Sequence, residues 1–305
     1  MAVLQLTALL TCAGLATSRI GLVVHELLGH GGATIAVGGT VADVQLFYLA
    51  GGWIRFRAED GHLLIAMGGI AVEAAVALAL ILGFRRRDGL EGRILRAIGW
   101  ALLIHASWYL ATGTWHGYGD GAQLHRLLGD QRWLVAVPAA IVTCGAAYTG
   151  ARVVIGPLAQ TVPGTPRARI VGTVIAILVA GGIQLGAAVG EVALRRDTTY
   201  SSTMKPERER VVARELRQWT EEQRRQGAQP TAQARDEMQR ALARRHRTFP
   251  FAYVLGVLVV LAIGIGAVRS PATPSHPISA RLVAISAAIA GGSIALVIAL
   301  DAAFL

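Results

Sequence analysis

The sequence predicts an all-α polytopic membrane protein of about seven transmembrane helices, with a small β-hairpin after the first helix and a soluble helical insertion. Three observations predict it. Of 305 residues, 53% are hydrophobic, and the mean hydropathy is positive. Apolar runs repeatedly reach the roughly 20 residues needed to cross a hydrocarbon core. The hydrophobic pattern changes character at two places, once to strand-like alternation after the first run and once to thin stripes within a charged stretch.

The apolar runs fall near residues 3–30, 62–84, 95–112, 133–155, 170–194, 250–268 and 280–300. The first has no basic leader and runs straight into a histidine-rich segment, so it reads as a helix and not as a cleaved signal peptide. Beyond it Val44, Leu46 and Tyr48 alternate with their neighbours, Gly51-Gly52 supplies a turn, and Ile54 and Phe56 alternate with Arg55 and Arg57. This predicts a β-hairpin at 42–57, at the membrane surface. The fifth run carries Gly182, Gly186 and Gly190, and the last contains "GGS" at 291–293, a small-residue pattern expected to form helix-packing surfaces. Between runs five and six, residues 195–248 are charged, with thin apolar stripes (Val212, Leu216, Trp219) and a break at Gly227 to Pro230. They read as a soluble helical hairpin, with Glu221 and Glu222 on its solvated face. The chain thus divides into a core at 1–130, further membrane helices at 131–194, the insertion at 195–248 and C-terminal membrane helices at 249–305.

Twenty-nine basic residues against 19 acidic ones give a net charge of +10. The excess lies in loops such as 84–93 and in 195–248, without an aromatic-rich basic platform, which fits a lipid-headgroup-facing surface and argues against a nucleic-acid partner. Arg85 to Arg87, Arg93 and Arg96 are balanced across the membrane by Arg195, Arg196, Arg244, Arg245 and Arg247, so basic-residue counting assigns no orientation. Cys12 and Cys144 both lie inside apolar runs and form neither a disulfide framework nor a cysteine metal site.

The chemistry starts at "VVHELLGHGG", residues 23–32. Ionisable groups at membrane depth are expensive, so His25, Glu26 and His30 need partners or a metal. In a regular α-helix residues four apart diverge by about 40° round the axis and residues five apart by about 140°, so His25 and His30 would not converge. A π-bulge absorbs one extra residue, and Gly29 eases it. The spacing therefore predicts a bulged turn at Leu27 to His30, which makes the two imidazoles zinc ligands and sets Glu26 before the attacking water as general base. The bland alternative is a seam of interhelical hydrogen bonds.

A third ligand has two candidates: Asp120, between Gly119 and Gly121 after the third run, and Glu73 inside the second. His116 is a further candidate, as an alternative ligand or as a group behind the ligands. His105 reads as a hydrogen-bonded packing residue, and His62, His125, His246 and His276 as surface residues.

Residues 15–130 resemble the site-2 protease family of intramembrane zinc metalloproteases: a His-Glu helix, a hairpin, a second helix opening on a glycine motif (Gly68-Gly69), and a third ending in Asp120-Gly121. That family usually reads His-Glu-x-x-His, one residue shorter than HELLGH here. As letters, HELLGH is the zinc motif of dipeptidyl peptidase III, so six residues can hold zinc. Many site-2 proteases place an asparagine four residues after the glycine of an Ala-Gly-Pro-type motif; counting from Gly69 lands on Glu73. The resemblance implies Zn²⁺ on His25, His30 and Asp120, with Glu26 catalytic and Glu73 beside the site. It also implies substrate binding along the hairpin edge at Ile54 and Phe56, and endopeptidase action on a membrane-protein or membrane-peptide substrate. The bilayer expected is a bacterial cytoplasmic membrane. Two rival classes use the same residues, a metal transporter or sensor and a catalytically silent scaffold.

Overall fold

The computed structural model describes residues 1–87, 90–270 and 278–304, and seven of its helices are long and apolar enough to cross a membrane. The protein is an all-α polytopic membrane protein with one two-stranded antiparallel sheet. Helix α1 runs through Ala2–Ala36, strands β1 (Thr40–Leu46) and β2 (Gly52–Arg57) follow, and then α2 (His62–Gly83) and α3 (Leu90–His116). A short α4 (Gly121–Leu128) leads into α5 (Trp133–Gly150), continued as far as Ala159, and α6 spans Pro166–Arg195. The charged stretch folds as α7 (Thr198–Thr203), α8 (Glu207–Arg225) and α9 (Ala232–Arg245), before α10 (Phe251–Val268) and α11 (Ala280–Phe304) close the chain.

Burial explains why this composition is stable only in lipid. In α10, Val260 and Val268 are each 68% exposed, and in α6 Leu178 and Leu185 are equally open. Apolar surface on that scale would drive aggregation in water, whereas hydrocarbon solvates it. Small side chains and glycines mediate the closest helix contacts. Gly29 of α1 lies against Gly68 and Gly69 of α2, where a Cβ on Gly68 would come within 2.6 Å of the Gly29 carbonyl oxygen. The glycines expected to form packing surfaces do not: a Cβ at Gly182, Gly186, Gly190, Gly291 or Gly292 meets nothing within 4 Å. These faces of α6 and α11 point away from the other described helices, because spacing four apart puts glycines on one face without deciding which face is covered.

The hairpin pairs Val44 with Ile54 and Leu46 with Gly52, with a bulge between Val41 and Asp43. Its turn is longer than the expected Gly51-Gly52: β1 stops at Leu46, and Tyr48, read as a strand residue, lies in the connection 47–51. That connection is held by charged groups from three membrane helices. The Glu191 carboxylate on α6 accepts from the backbone N–H groups of Tyr48 (2.7 Å), Leu49 (2.5 Å) and Ala50 (3.0 Å). Arg19 of α1, 2% exposed, donates to the Phe47 and Ala50 carbonyls, each at 2.5 Å. Asp301 of α11 accepts from Leu46 N–H at 2.7 Å, and Arg195 bridges Glu191 (3.0 Å) and Asp301 (3.5 Å). Charges buried this far from water persist only when paired and hydrogen-bonded. They fix the hairpin against the bundle, and neither Arg19, Glu191 nor Asp301 was singled out from the sequence, although each is an ionisable residue within a membrane helix.

The insertion forms an antiparallel helix pair: Val212 and Leu242 are buried, and Leu216 and Trp219 are partly covered. His246, expected on the surface, hydrogen-bonds Glu215 at 3.0 Å, and that contact lowers the pKa of the Glu215 carboxyl from its ordinary value. His62 is exposed, and His125 is half-buried with Nδ1 on the Thr114 carbonyl at 2.9 Å. His276 lies outside the described residues.

The hairpin clamp gives a direct expectation. Glu191→Ala strips three backbone donors of their acceptor, and unsatisfied donors cost about 1–3 kcal/mol each when buried. Amide exchange at Tyr48, Leu49 and Ala50 should accelerate at least tenfold, with smaller changes in α10, as read by hydrogen–deuterium exchange in detergent or nanodiscs.

Candidate metal centre

Helix α1 changes period at Val24–Gly31, eight residues of π-helix set between α-helical segments. A π-turn bonds residues five apart, which stacks His25 and His30 on one face. The distortion is longer than the Leu27 to His30 bulge expected from spacing. Their ring centroids are 4.9 Å apart and nearly perpendicular, at 80°.

Asp120 reaches these rings from the turn between α3 and α4. Gly117 (φ 71°) and Gly119 (φ 52°) adopt left-handed conformations that favour glycine, turning the chain so that Asp120 precedes α4 with its carboxylate free of any capping bond. Its Oδ2 lies 2.8 Å from His25 Nε2 and its Oδ1 3.2 Å from His30 Nε2. The His25, His30 and Asp120 donor atoms all lie within 4.8 Å of one another.

Both rings are fixed from behind. His30 Nδ1 is 2.6 Å from the Ile65 carbonyl oxygen, and His25 Nδ1 is 3.1 Å from Glu73 Oε2. A carbonyl can only accept, so His30 carries its proton on Nδ1 and presents Nε2 to Asp120. For both Nε2 atoms to donate to Asp120 as well, two imidazolium rings in edge contact would have to be charged together, with repulsion at low dielectric. A shared cation instead uses the two Nε2 lone pairs of neutral rings, which is how histidine ligands with hydrogen-bonded Nδ1–H groups bind metals. Tetrahedral zinc with bonds of about 2.0–2.1 Å separates its ligands by about 3.3 Å, and the two imidazole–carboxylate contacts, at 2.8 and 3.2 Å, are close to that separation. The residues present fit zinc.

Glu73, 1% exposed, stands behind His25 and not beside the three converging donors; its other oxygen is 2.8 Å from His105 Nδ1. His105, read as a hydrogen-bonded packing residue, makes its bond to Glu73 and so belongs to the chain His105–Glu73–His25. His116, held open as an alternative ligand, turns away: its Nε2 accepts from Ala252 N–H at 3.3 Å, and no contact joins it to His25, His30 or Asp120 among the described residues. Gly69 matters sterically, since a Cβ there would fall 2.6 Å from His25 Nε2 and 2.7 Å from His30 Nε2.

A cavity of about 460 Å³ opens onto the cluster, with Glu26, His30 and Asp120 among its lining residues. Strand β2 forms one wall, including Ile54 and Phe56, and Thr199, Ser202 and Thr203 of the insertion contribute another. Gly119 N–H donates to the Thr203 carbonyl at 3.0 Å, Arg210 donates to the Gly117 carbonyl, and the Tyr200 ring meets Phe47 at 4.9 Å. The start of the insertion thus spans from the Asp120 turn to the hairpin connection, a placement its charge pattern did not reveal.

Comparison with known proteins gives no match to any family model, curated protein or solved structure.

The geometry ranks the variants. His30→Ala and Asp120→Ala should each abolish stoichiometric zinc, while Glu73→Gln should weaken zinc by about 10–100-fold, the usual effect of losing a ligand's hydrogen-bond partner. Gly69→Val should eliminate zinc by steric intrusion. Elemental analysis with a competing chelator reads all four; full zinc in Asp120→Ala with loss in Glu73→Ala would reverse the ligand assignment.

Proposed function

We propose that this chain is a zinc-dependent intramembrane endopeptidase of the site-2 protease type, hydrolysing a peptide bond within or next to a membrane segment of a protein substrate. The observation that carries the reading is the convergence of His25 Nε2, His30 Nε2 and Asp120 at a cavity that Glu26 also lines. The setting is taken to be a bacterial cytoplasmic membrane.

His25, His30 and Asp120 would hold the metal, with Glu73 and the Ile65 carbonyl orienting the two rings. The chemistry a bound zinc supplies is Lewis-acid polarisation of the scissile carbonyl and acidification of the attacking water. Glu26 takes the proton of that water as its oxygen bonds to the carbonyl carbon, then delivers it to the leaving nitrogen as the C–N bond breaks. Strand β2 pairs only with β1 among the described residues, so its second edge has no strand partner and would take an extended segment of substrate. Ile54 and Phe56 on that strand line the cavity, and would seat substrate side chains while backbone pairing holds the peptide straight. An intramembrane helix must unwind before its peptide bond is reachable, and strand pairing compensates the backbone groups it exposes.

Two measurements test this. Glu26→Gln should retain full zinc and lose at least about 100-fold in turnover of a transmembrane peptide, since general-base catalysis contributes about 10²–10⁴-fold. A metal transporter would instead show altered zinc flux in that variant, with no peptidase activity in the wild type. Ile54→Pro should reduce cleavage more than zinc content; equal loss of both would assign the hairpin a purely structural part.

A further inference from the structure

Tyr109 is the side chain around the metal centre that the proposed reaction leaves without a task. It projects from α3 into the same cavity as Glu26, His30 and Asp120. Its ring stacks on His105, with centroids 6.0 Å apart at 9°, and meets the edge of His25 at 5.8 Å. The hydroxyl lies against the backbone of the metal-ligand turn. A Cβ on Gly119 would collide with it. Among the described residues the phenol proton is directed at the Met204 sulfur, at 3.8 Å, and a thioether is a weak acceptor. The oxygen is packed against the Gly119 turn while its proton is under-used, at the edge of a cavity that Glu26 also lines.

We propose that Tyr109 is a catalytic residue, donating its phenolic O–H to the oxygen of the scissile carbonyl as that oxygen becomes an oxyanion. The proposal rests on the peptidase reading above. As the water oxygen bonds to the carbonyl carbon, Glu26 takes the water proton and the carbonyl π pair moves onto oxygen. Tyr109 keeps its own proton and lends the hydrogen bond. When the pair re-forms the carbonyl, the C–N bond breaks and the nitrogen leaves with the proton from Glu26. Such a donor is effective because it is already oriented in the ground state and strengthens only as charge develops. Arg210, a cation on the cavity wall, is tied to Glu207 at 3.3 Å and to the Gly117 carbonyl, so the tyrosine is a better-placed donor than that arginine.

Tyr109→Phe keeps the ring and its stacking while deleting the donor. Measured on full-length protein beside wild type, the variant should keep its zinc content, circular dichroism and KM for a transmembrane peptide. Its kcat should fall by about 100–1000-fold, the usual consequence of losing one oxyanion donor. A phosphinic peptide resembling the tetrahedral adduct, measured by calorimetry, should bind more weakly by at least tenfold, while a substrate peptide binds equally well to Glu26→Gln with or without the second change. Unchanged kcat, a rise in KM alone, or loss of zinc or fold in Tyr109→Phe would overturn the tyrosine's role and leave the peptidase reading standing. A wild type that neither binds zinc nor cleaves peptide would overturn both.

Discussion

The π-helical turn of α1 at Val24–Gly31 is the constraint from which the centre follows. With α-helical geometry, His25 and His30 would diverge and address different neighbours; the wider turn brings both Nε2 atoms to Asp120. Such turns are less stable than α-helix and need external support. Here it comes from α2, which approaches closely because Gly29, Gly68 and Gly69 meet without side chains. The same approach delivers the Ile65 carbonyl to His30 Nδ1 and Glu73 to His25 Nδ1. One backbone irregularity therefore specifies tautomer, direction and spacing together.

Electrostatics explain why the cluster suits a cation. Glu26, Glu73 and Asp120 supply three carboxyl groups around two imidazoles, all in a low-dielectric bundle. A divalent ion offsets part of that charge and satisfies lone pairs that otherwise face one another. A second polar system, Arg19–Glu191–Arg195–Asp301, holds the hairpin connection from α1, α6 and α11. The helices beyond residue 130 are thereby coupled to the cavity: α6 and α11 hold the connection that leads into β2, and the insertion supplies another wall. The parts of the chain outside the resembled core support the strand on which a substrate would lie.

Much of the fold was legible because hydrocarbon imposes length and composition on each span. The seven apolar runs correspond to the helices from Ala2–Ala36 to Ala280–Phe304, with ends shifted by several residues because hydropathy does not fix where a helix stops. The bulge was legible from a single inconsistency, two histidines five apart on a membrane helix beside Gly29. Other features were not. The role of His105 depends on α2 and α3 lying side by side, which no local pattern encodes. Gly182, Gly186 and Gly190 have helix-contact spacing but face open space, since spacing does not choose a partner. Tyr109 is an aromatic residue in an apolar run, and only the turn at Gly119 and Asp120 sets it apart. Arg19, Glu191 and Asp301 carried a signal in their placement within apolar runs, but their partners, 28 and 31 residues away for Arg19 and well over 100 for Glu191 and Asp301, cannot be read from one sequence.

The most direct test of the centre is zinc K-edge X-ray absorption on the purified full-length protein loaded with one equivalent of zinc. Convergence of the two imidazoles through the π-turn predicts a four-coordinate spectrum with two histidine scattering patterns and oxygen neighbours, all at about 2.0–2.1 Å. A spectrum with one histidine or none, or a six-oxygen shell typical of loosely held ions, would contradict the shared site.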